Sequence, residues 1–218
     1  MRRITTKISF VLAVVTMVVG IAWATSVHLK NNRNPNFIDN TGPAPSGDLT
    51  LTTTGALAGL GNGDVVIAVE AKANPTGQCC NPSGECKVPG HNPAAVKLTG
   101  TEAIPGADIK NGNLSFTVST APPVTPIPGA PDCPNTSWAE NITDLVFTRA
   151  TVTVYQPAIL ACVNGANNGT LCTSSTECTG GGSCAPVNPS NTTQTAQAVF
   201  ATTCTLSGVD GTLASSCP

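Results

Sequence analysis

Ten cysteines are the residues of this 218-residue chain best suited to chemistry, because paired thiols form disulfides and four thiolates can hold zinc. Four of them lie within residues 162–184, a stretch with five glycines: Cys162, Cys172, Cys178 and Cys184. Apolar burial cannot hold such a stretch together. Intervals of nine, five and five residues lack the short spacing typical of zinc modules. The pattern therefore favours two internal disulfides over a zinc site, each contributing ~2–4 kcal/mol.

The other six cysteines are Cys79, Cys80, Cys86, Cys133, Cys204 and Cys217. Adjacent cysteines rarely bond to each other without strain, so we expect one of Cys79 and Cys80 to close a small loop with Cys86. The other cysteine of that pair then reaches further along the chain. Cys133 and Cys204 both flank predicted strands and form a candidate long-range pair. The sequence leaves the complete connectivity open.

Groups for catalysis are sparse. The two histidines, His28 and His91, match the number in a copper brace, but that site needs cleavage directly before His28. Signal peptidase disfavours Val27 at the preceding position. No Gly-x-Ser-x-Gly motif or Cys-His pairing is visible. The candidate carboxylates for glycoside chemistry are Glu70, Glu85, Glu102 and Glu140. With 4% aromatic residues the chain is poorly equipped for a sugar-stacking cleft, so we expect a non-enzymatic protein, with an exported metal-dependent enzyme as the alternative.

One aromatic residue is a candidate ligand contact. Trp138 lies close to Asn135 and follows a proline-rich stretch, residues 121–134. An exposed indole there suits a carbohydrate or small ligand, whereas a buried one anchors the core under the proline-rich stretch. The sequence favours the core anchor and keeps a ligand-binding module as a further alternative.

Calcium is the one cofactor that the sequence suggests, and only as an alternative to having none. Two sets of loop oxygens are candidates: Asp108 with Asn111 and Asn113, and Asp132 with Asn135. Neither set matches an EF-hand, and turn chemistry explains the same residue types.

The N-terminus has the features of an export signal. Residues 1–7 carry Arg2, Arg3 and Lys7, an apolar run follows, and Ala22-Trp23-Ala24 supplies small residues at a cleavage site. We expect residues 1–24 to be removed, with a retained membrane anchor as the alternative. The remaining chain then carries 7 Lys and Arg against 12 Asp and Glu, which gives no basic patch for nucleic acid. Export also places the cysteines where thiols oxidise.

Strand patterns dominate the rest of the chain. Alternating apolar residues within 49–52, 65–71, 114–118 and 200–206 predict strands with one wet face. We therefore expect an all-β fold, an antiparallel β-sandwich that is Ig-like in general architecture, with a disulfide-stapled loop insertion. The predicted domains are a signal peptide at 1–24, a flexible N-terminal arm at 25–47, and a β-sandwich at 48–218 with a Cys-rich insertion at 162–184.

The apolar phase changes within residues 145–156. Leu145 and Phe147 occupy odd positions, whereas Val152 and Val154 occupy even ones, so the phase flips near Arg149. A β-bulge explains this flip, as does a strand that leaves one sheet and enters another.

Three segments carry a resemblance to known proteins: Gly59-Leu-Gly-Asn-Gly-Asp-Val65, Asn111-Gly-Asn-Leu-Ser-Phe116 and Ile142-Thr-Asp-Leu-Val-Phe-Thr148. Together with Cys133-Pro-Asn and Trp138, they resemble a family of exported, uncharacterised bacterial β-rich proteins over about Gly55 to Gln156. The resemblance implies a small secreted β domain and brings no catalytic residues. Cys162-Val-Asn-Gly and Gly181-Gly-Ser-Cys184 are separately similar to short Cys-rich units of bacterial surface proteins.

These patterns together predict a secreted structural or adhesive protein of the cell surface or extracellular matrix. A related hypothesis is self-assembly through its N-terminal arm. The expected partners are other surface or matrix proteins or a second copy of the chain. We expect no nucleic-acid partner, and no membrane contact after the signal is cleaved.

Overall fold

A computed structural model describes residues 26–41, 48–156, 160–172, 174–187 and 198–218. The predicted signal peptide, residues 1–24, lies outside these described residues. The fold is nearly all antiparallel β, as predicted. In the described part of the chain the helical segments are three short 3₁₀ turns at Lys30–Asn32, Gly106–Asp108 and Ser175–Glu177.

The strands are β1 His28–Leu29, β2 Asn36–Asp39, β3 Leu51–Ala58, β4 Val65–Cys80, β5 Cys86–Lys87, β6 Val96–Ile104, β7 Leu114–Ser119, β8 Ala139–Tyr155, β9 Leu160–Val163, β10 Ser183–Pro186, β11 Phe200–Ser207 and β12 Gly211–Ser216. Ten of them form one large sheet, in which eight strands run in the order β6, β4, β8, β11, β12, β2, β3, β7. The short strand β5 extends the β4 edge, and β1 lies beside β3. Strands β9 and β10 form a separate two-stranded sheet.

The phase flip in the sequence is a β-bulge. Lys72 pairs with Arg149 and Ala73 pairs with Phe147, which leaves Thr148 as the extra residue of β8. A second register shift, between Thr76 and Gly77 of β4, leaves out Thr143 in the same way. Since each bulge inserts one residue, the apolar side chains on both sides of it stay on the inner face.

The core contains side chains from both halves of the large sheet. One half consists of β6, β4, β8 and β11, the other of β2, β3 and β7, and β12 lies between them. Ile67 and Val152, from β4 and β8, lie in the same apolar cluster as Leu57 and Phe116, from β3 and β7. Alternation along each strand produces this arrangement, because every second residue points inward; β7, for example, alternates strictly between buried and exposed residues.

The structure differs from the predicted flexible arm at β2. Asn36–Asp39 pairs with β3 on one side and β12 on the other, and the side chain of Phe37 is fully buried. Four residues are too few to show a periodic pattern, so the local sequence carries little signal for this strand. The neighbouring strands supply its hydrogen bonds and its burial.

Strand β12 connects the two halves. Its first residues, 211–213, pair with β2, and its last residues, 214–216, pair with β11. The disulfide between Cys204 of β11 and Cys217, just after β12, fixes this hairpin.

We predict that Phe37→Ala lowers the free energy of unfolding by about 3–5 kcal/mol, because it leaves a cavity in a fully packed site. Chemical denaturation measures this loss. Asn36→Ala, an exposed change in the same strand, is the control and should alter stability by less than about 0.5 kcal/mol. A loosely docked arm would instead make the two variants equally stable.

Candidate functional site

All ten cysteines lie in disulfides. The five bonds are Cys79–Cys133, Cys80–Cys86, Cys162–Cys178, Cys172–Cys184 and Cys204–Cys217. The prediction that one of Cys79 and Cys80 bonds to Cys86 and the other to a more distant cysteine is confirmed. The two predicted disulfides within residues 162–184 are confirmed as well. The predicted Cys133–Cys204 pair is wrong, because the β11–β12 hairpin places Cys204 beside Cys217. Cys133 instead forms a disulfide with Cys79. Nearby, the Ile127 N–H donates to the Glu140 carbonyl of β8 at 2.7 Å and holds this part of the chain against β8.

The Cys-rich module, residues 160–187, is a candidate contact site built around sulfur. Its two strands, β9 and β10, pair with each other and with no described strand of the large sheet. Its apolar cluster consists of Cys162, Cys172 and Cys178, with Leu160 and Cys184 packed against it. The module therefore has a small core of its own, separate from the cluster that fills the large sheet.

One asparagine organises the loops of the module. The Asn167 Nδ2 donates to the Glu177 carbonyl at 3.0 Å, and its Oδ1 accepts from the Thr179 N–H at 2.8 Å. The Ala166 N–H also donates to the Thr179 carbonyl at 2.8 Å. These bonds tie residues 166–167 to residues 177–179, beside the Cys162–Cys178 disulfide, so the loops are held without apolar burial.

A zinc site would have to use the same sulfur atoms as the disulfides. The Sγ atoms of Cys162, Cys172 and Cys178 lie within 4.8 Å of one another, close enough for a shared metal. Zinc binds thiolates, however, and each of these sulfurs is bonded to another sulfur. The structure supports two neighbouring disulfides at this position.

The histidines lie in different parts of the fold. His28 is an exposed residue of β1, where its Nδ1 lies 2.6 Å from the Ser26 carbonyl oxygen. His91 is exposed on the segment between β5 and β6. Among the described residues, the cysteine trio is the sole group of three or more His, Cys, Asp or Glu side chains close enough to share a metal ion.

The four candidate glutamates do not form a catalytic pair. Glu70 makes an ion pair with Lys97 at 2.6 Å across β4 and β6, and Glu85 accepts a hydrogen bond from Asn81. Glu102 is exposed on β6, whereas Glu140 is fully buried on β8. Each of them belongs to a different local environment.

Several residues suggested for calcium lie in turns. Lys110 and Asn113 exchange two backbone hydrogen bonds around Asn111, which has a positive φ of 52°. The Asn135 Oδ1 accepts from both the N–H and the hydroxyl of Ser137, at 3.0 and 2.5 Å. The Asn135 contact is an Asx turn, an ordinary role of asparagine in loops.

Trp138 is half-buried just before β8, and its backbone N–H donates to the Asn135 carbonyl at 3.2 Å. The nearby proline-rich stretch is held by Glu140. The Glu140 Oε2 accepts from the Asp132 N–H at 3.2 Å, and its Oε1 has no hydrogen-bond partner among the described residues. In the sequence this buried carboxylate is one glutamate among several, and only its tertiary partners distinguish it.

Sequence reasoning missed a second buried carboxylate, Asp39. Its Oδ1 accepts from the Thr41 N–H and hydroxyl, at 2.9 and 2.5 Å, while Oδ2 has no partner among the described residues. Burial raises the pKa of Asp39; the bonds from Thr41 offset part of that rise, and the charges of Asp144 and Asp210 add to it. The ionised carboxylate is therefore held at an electrostatic cost at the end of β2.

Comparisons of the chain with protein-family models, with curated proteins and with solved structures found no match. Five disulfides are consistent with an extracellular or secreted protein. None of the helical segments in the described ranges has the length and apolarity to cross a bilayer.

We predict that Asp39→Asn flattens the pH dependence of stability. A carboxyl whose folded pKa is raised stabilises the fold fully below its unfolded pKa, near 3.8, and this contribution is lost as pH rises through the folded pKa. The unfolding free energy of the wild type minus that of the variant should therefore fall across that window in urea titrations. Asp210→Asn, which removes only one repelling charge, should shift the window slightly downward. An identical pH profile for wild type and Asp39→Asn would contradict this account.

We predict that the double variant Cys172→Ser, Cys184→Ser melts the Cys-rich module alone. Loss of one disulfide removes ~2–4 kcal/mol from a unit that has little other core. Hydrogen exchange should accelerate in peptides from residues 160–187 and stay slow in β4 and β8. Faster exchange throughout the large sheet would show that the module is part of the main cooperative unit.

Proposed function

We propose that this protein is an exported, non-enzymatic structural or adhesive component of the cell surface or extracellular matrix. In this proposal the large sheet is a scaffold, and the Cys-rich module is the element that contacts a partner. The observation that carries the proposal is the module's own disulfide-bonded core and its own two-stranded sheet. An insertion that is stabilised separately from its β domain is suited to presenting a contact surface to a partner.

The scaffold is proposed to be a β-sandwich, Ig-like in general architecture. Support comes from the shared apolar cluster, to which β4 and β8 contribute from one side and β3 and β7 from the other. Two facing layers bury both sets of inward side chains. The Cys79–Cys133 bond then ties the proline-rich stretch to one end of the scaffold.

The surface chemistry of the module suits contact with another protein. Residues 160–187 contain one charged residue, Glu177, and the module exposes 43% of Leu171. Two disulfides hold the loops in place, so little conformational entropy is lost when a partner binds. The proposed partners are other surface or matrix proteins, or a second copy of this chain.

Export is supported by the sequence pattern of residues 1–24 and by the oxidised state of all ten cysteines. Disulfides persist outside the cytoplasm and are rare inside it. A structural role in that environment also fits the three sulfur bridges of the large-sheet part, Cys79–Cys133, Cys80–Cys86 and Cys204–Cys217.

The test is a variant in which a Gly-Ser linker replaces residues 160–187 while the large sheet is kept. We expect it to melt cooperatively, to be exported, and to lose at least about 10-fold in binding to intact producing cells and their matrix, because a hot-spot surface is removed. Val88→Ser, an exposed change outside the module, is the control. Undiminished binding of the linker variant, or no binding by the wild type, would refute the proposal.

A further inference from the structure

Strand β7 has a free edge. It pairs with β3 on one side, and no described strand pairs with its other side. The Thr120 N–H donates to the Leu51 carbonyl at 3.0 Å, so the even-numbered residues of β7 direct their backbone groups toward β3. By the alternation of an antiparallel ladder, Ser115, Thr117 and Ser119 direct theirs away from the sheet.

The free edge of β7 approaches the free edge of β6 at one end only. The Ala121 N–H donates to the Thr99 carbonyl at 2.8 Å. There the Ser119 carbonyl lies against Gly100, where any Cβ would collide with it. Beyond this contact an open groove of about 590 Å³ lies between the two strands, lined in part by Ala103, Ser115 and Thr117. The lining also includes charged residues from neighbouring segments, namely Lys30, Glu102, Asp108 and Lys110. Ser115 and Thr117 therefore keep accessible backbone donors and acceptors.

The two free edges differ in how they are protected against pairing. Strand β6 carries Lys97 and Glu102, charges that oppose the addition of another strand. The sequence of β7, Leu-Ser-Phe-Thr-Val-Ser, has no charge and no proline and alternates without interruption. Its exposed face consists of hydroxyl side chains. An edge of this kind is a template for a further strand.

We infer that β7 pairs with β7 of a second copy of this chain, antiparallel, about a two-fold axis at Phe116. Ser115 then lies opposite Thr117 of the partner subunit, and the pair exchanges backbone hydrogen bonds, four in total by symmetry. The axis falls at Phe116 because Ser119 is occupied by its contact with Gly100. This edge is separate from the Cys-rich module, and pairing through it does not depend on the function proposed above.

A second copy fits this edge because β7 is chemically self-complementary. Self-pairing places no like charges opposite each other, and it sets hydroxyl side chains against hydroxyl side chains. The protein uses that pairing twice within its own sheet. Thr52 and Ser119 hydroxyls lie 2.8 Å apart across β3 and β7, and Thr151 and Thr203 hydroxyls lie 2.9 Å apart across β8 and β11. The dimer extends the same pattern by one strand pair.

The experiment is sedimentation of the full oxidised chain over a range of concentrations. We expect a reversible monomer–dimer equilibrium in the wild type. Thr117→Pro removes an outward N–H that β3 does not use, so it should raise the dimer dissociation constant at least about 10-fold. Thr101→Pro makes the matched change on the edge of β6 and should leave that constant unchanged. Melting curves confirm that each variant is folded.

Thr117→Lys provides a second variant if proline disturbs β7, because it places a positive charge on both copies beside the axis. It should weaken the dimer as well. A wild type that stays monomeric at every concentration overturns the inference, as does a dimer that is equally sensitive to changes in β6 and β7. The linker variant that lacks residues 160–187 should dimerise normally, which separates this result from the test of the Cys-rich module.

Discussion

The continuity of the large sheet depends on the backbone hydrogen bonds of four residues, Asn36–Asp39. Strand β2 forms backbone hydrogen bonds with β12 on one side and with β3 on the other. Its removal would therefore leave two rows of unpaired backbone groups inside the fold. Phe37 adds a fully buried ring to the same position. A segment that composition alone assigns to a tether therefore joins β12 to β3. A truncated chain that begins after this segment loses that connection.

The large sheet and the Cys-rich module depend on sulfur to different degrees. The core of the large sheet consists mainly of Val, Leu, Ile and Phe side chains, and three disulfides reinforce it. The Cys-rich module has too few apolar residues for such a core, and two disulfides with a network around Asn167 replace the missing core. The two parts therefore differ in what stabilises them: the large sheet combines an apolar core with three disulfides, whereas the module relies on two disulfides and its hydrogen bonds.

The sequence was informative for several strands with one wet face, although the nine-residue strand β6 was missed. Strands β7, β8 and β11 follow their period-2 patterns, and the phase change near Arg149 marks a real bulge. Strand β4 alternates only after its first five residues, which are all buried. Short strands such as β2 and β12 escaped prediction because two neighbours, not their own residues, define them. The disulfides and the buried carboxylates were harder to predict than the strands. Cysteine spacing indicated the bonds inside residues 162–184, but long-range pairing and the buried carboxylates depend on tertiary neighbours that a linear pattern does not contain.

The ends of the sheet are fixed by polar side chains that bond to loop backbone. Gln156 accepts from the Gly61 N–H at 2.8 Å and donates to the carbonyls of Gly61 and Gly63 at 3.0 and 2.7 Å, so one buried amide holds a glycine-rich loop. Glu140 and Asp39 act similarly on their own loops, yet each keeps one oxygen without a partner among the described residues. A buried unpartnered oxygen costs about 1–3 kcal/mol, so these carboxylates favour one loop conformation at the expense of stability. With 4% aromatic residues the chain lacks large side chains to anchor its loops, and buried polar groups and disulfides take that role.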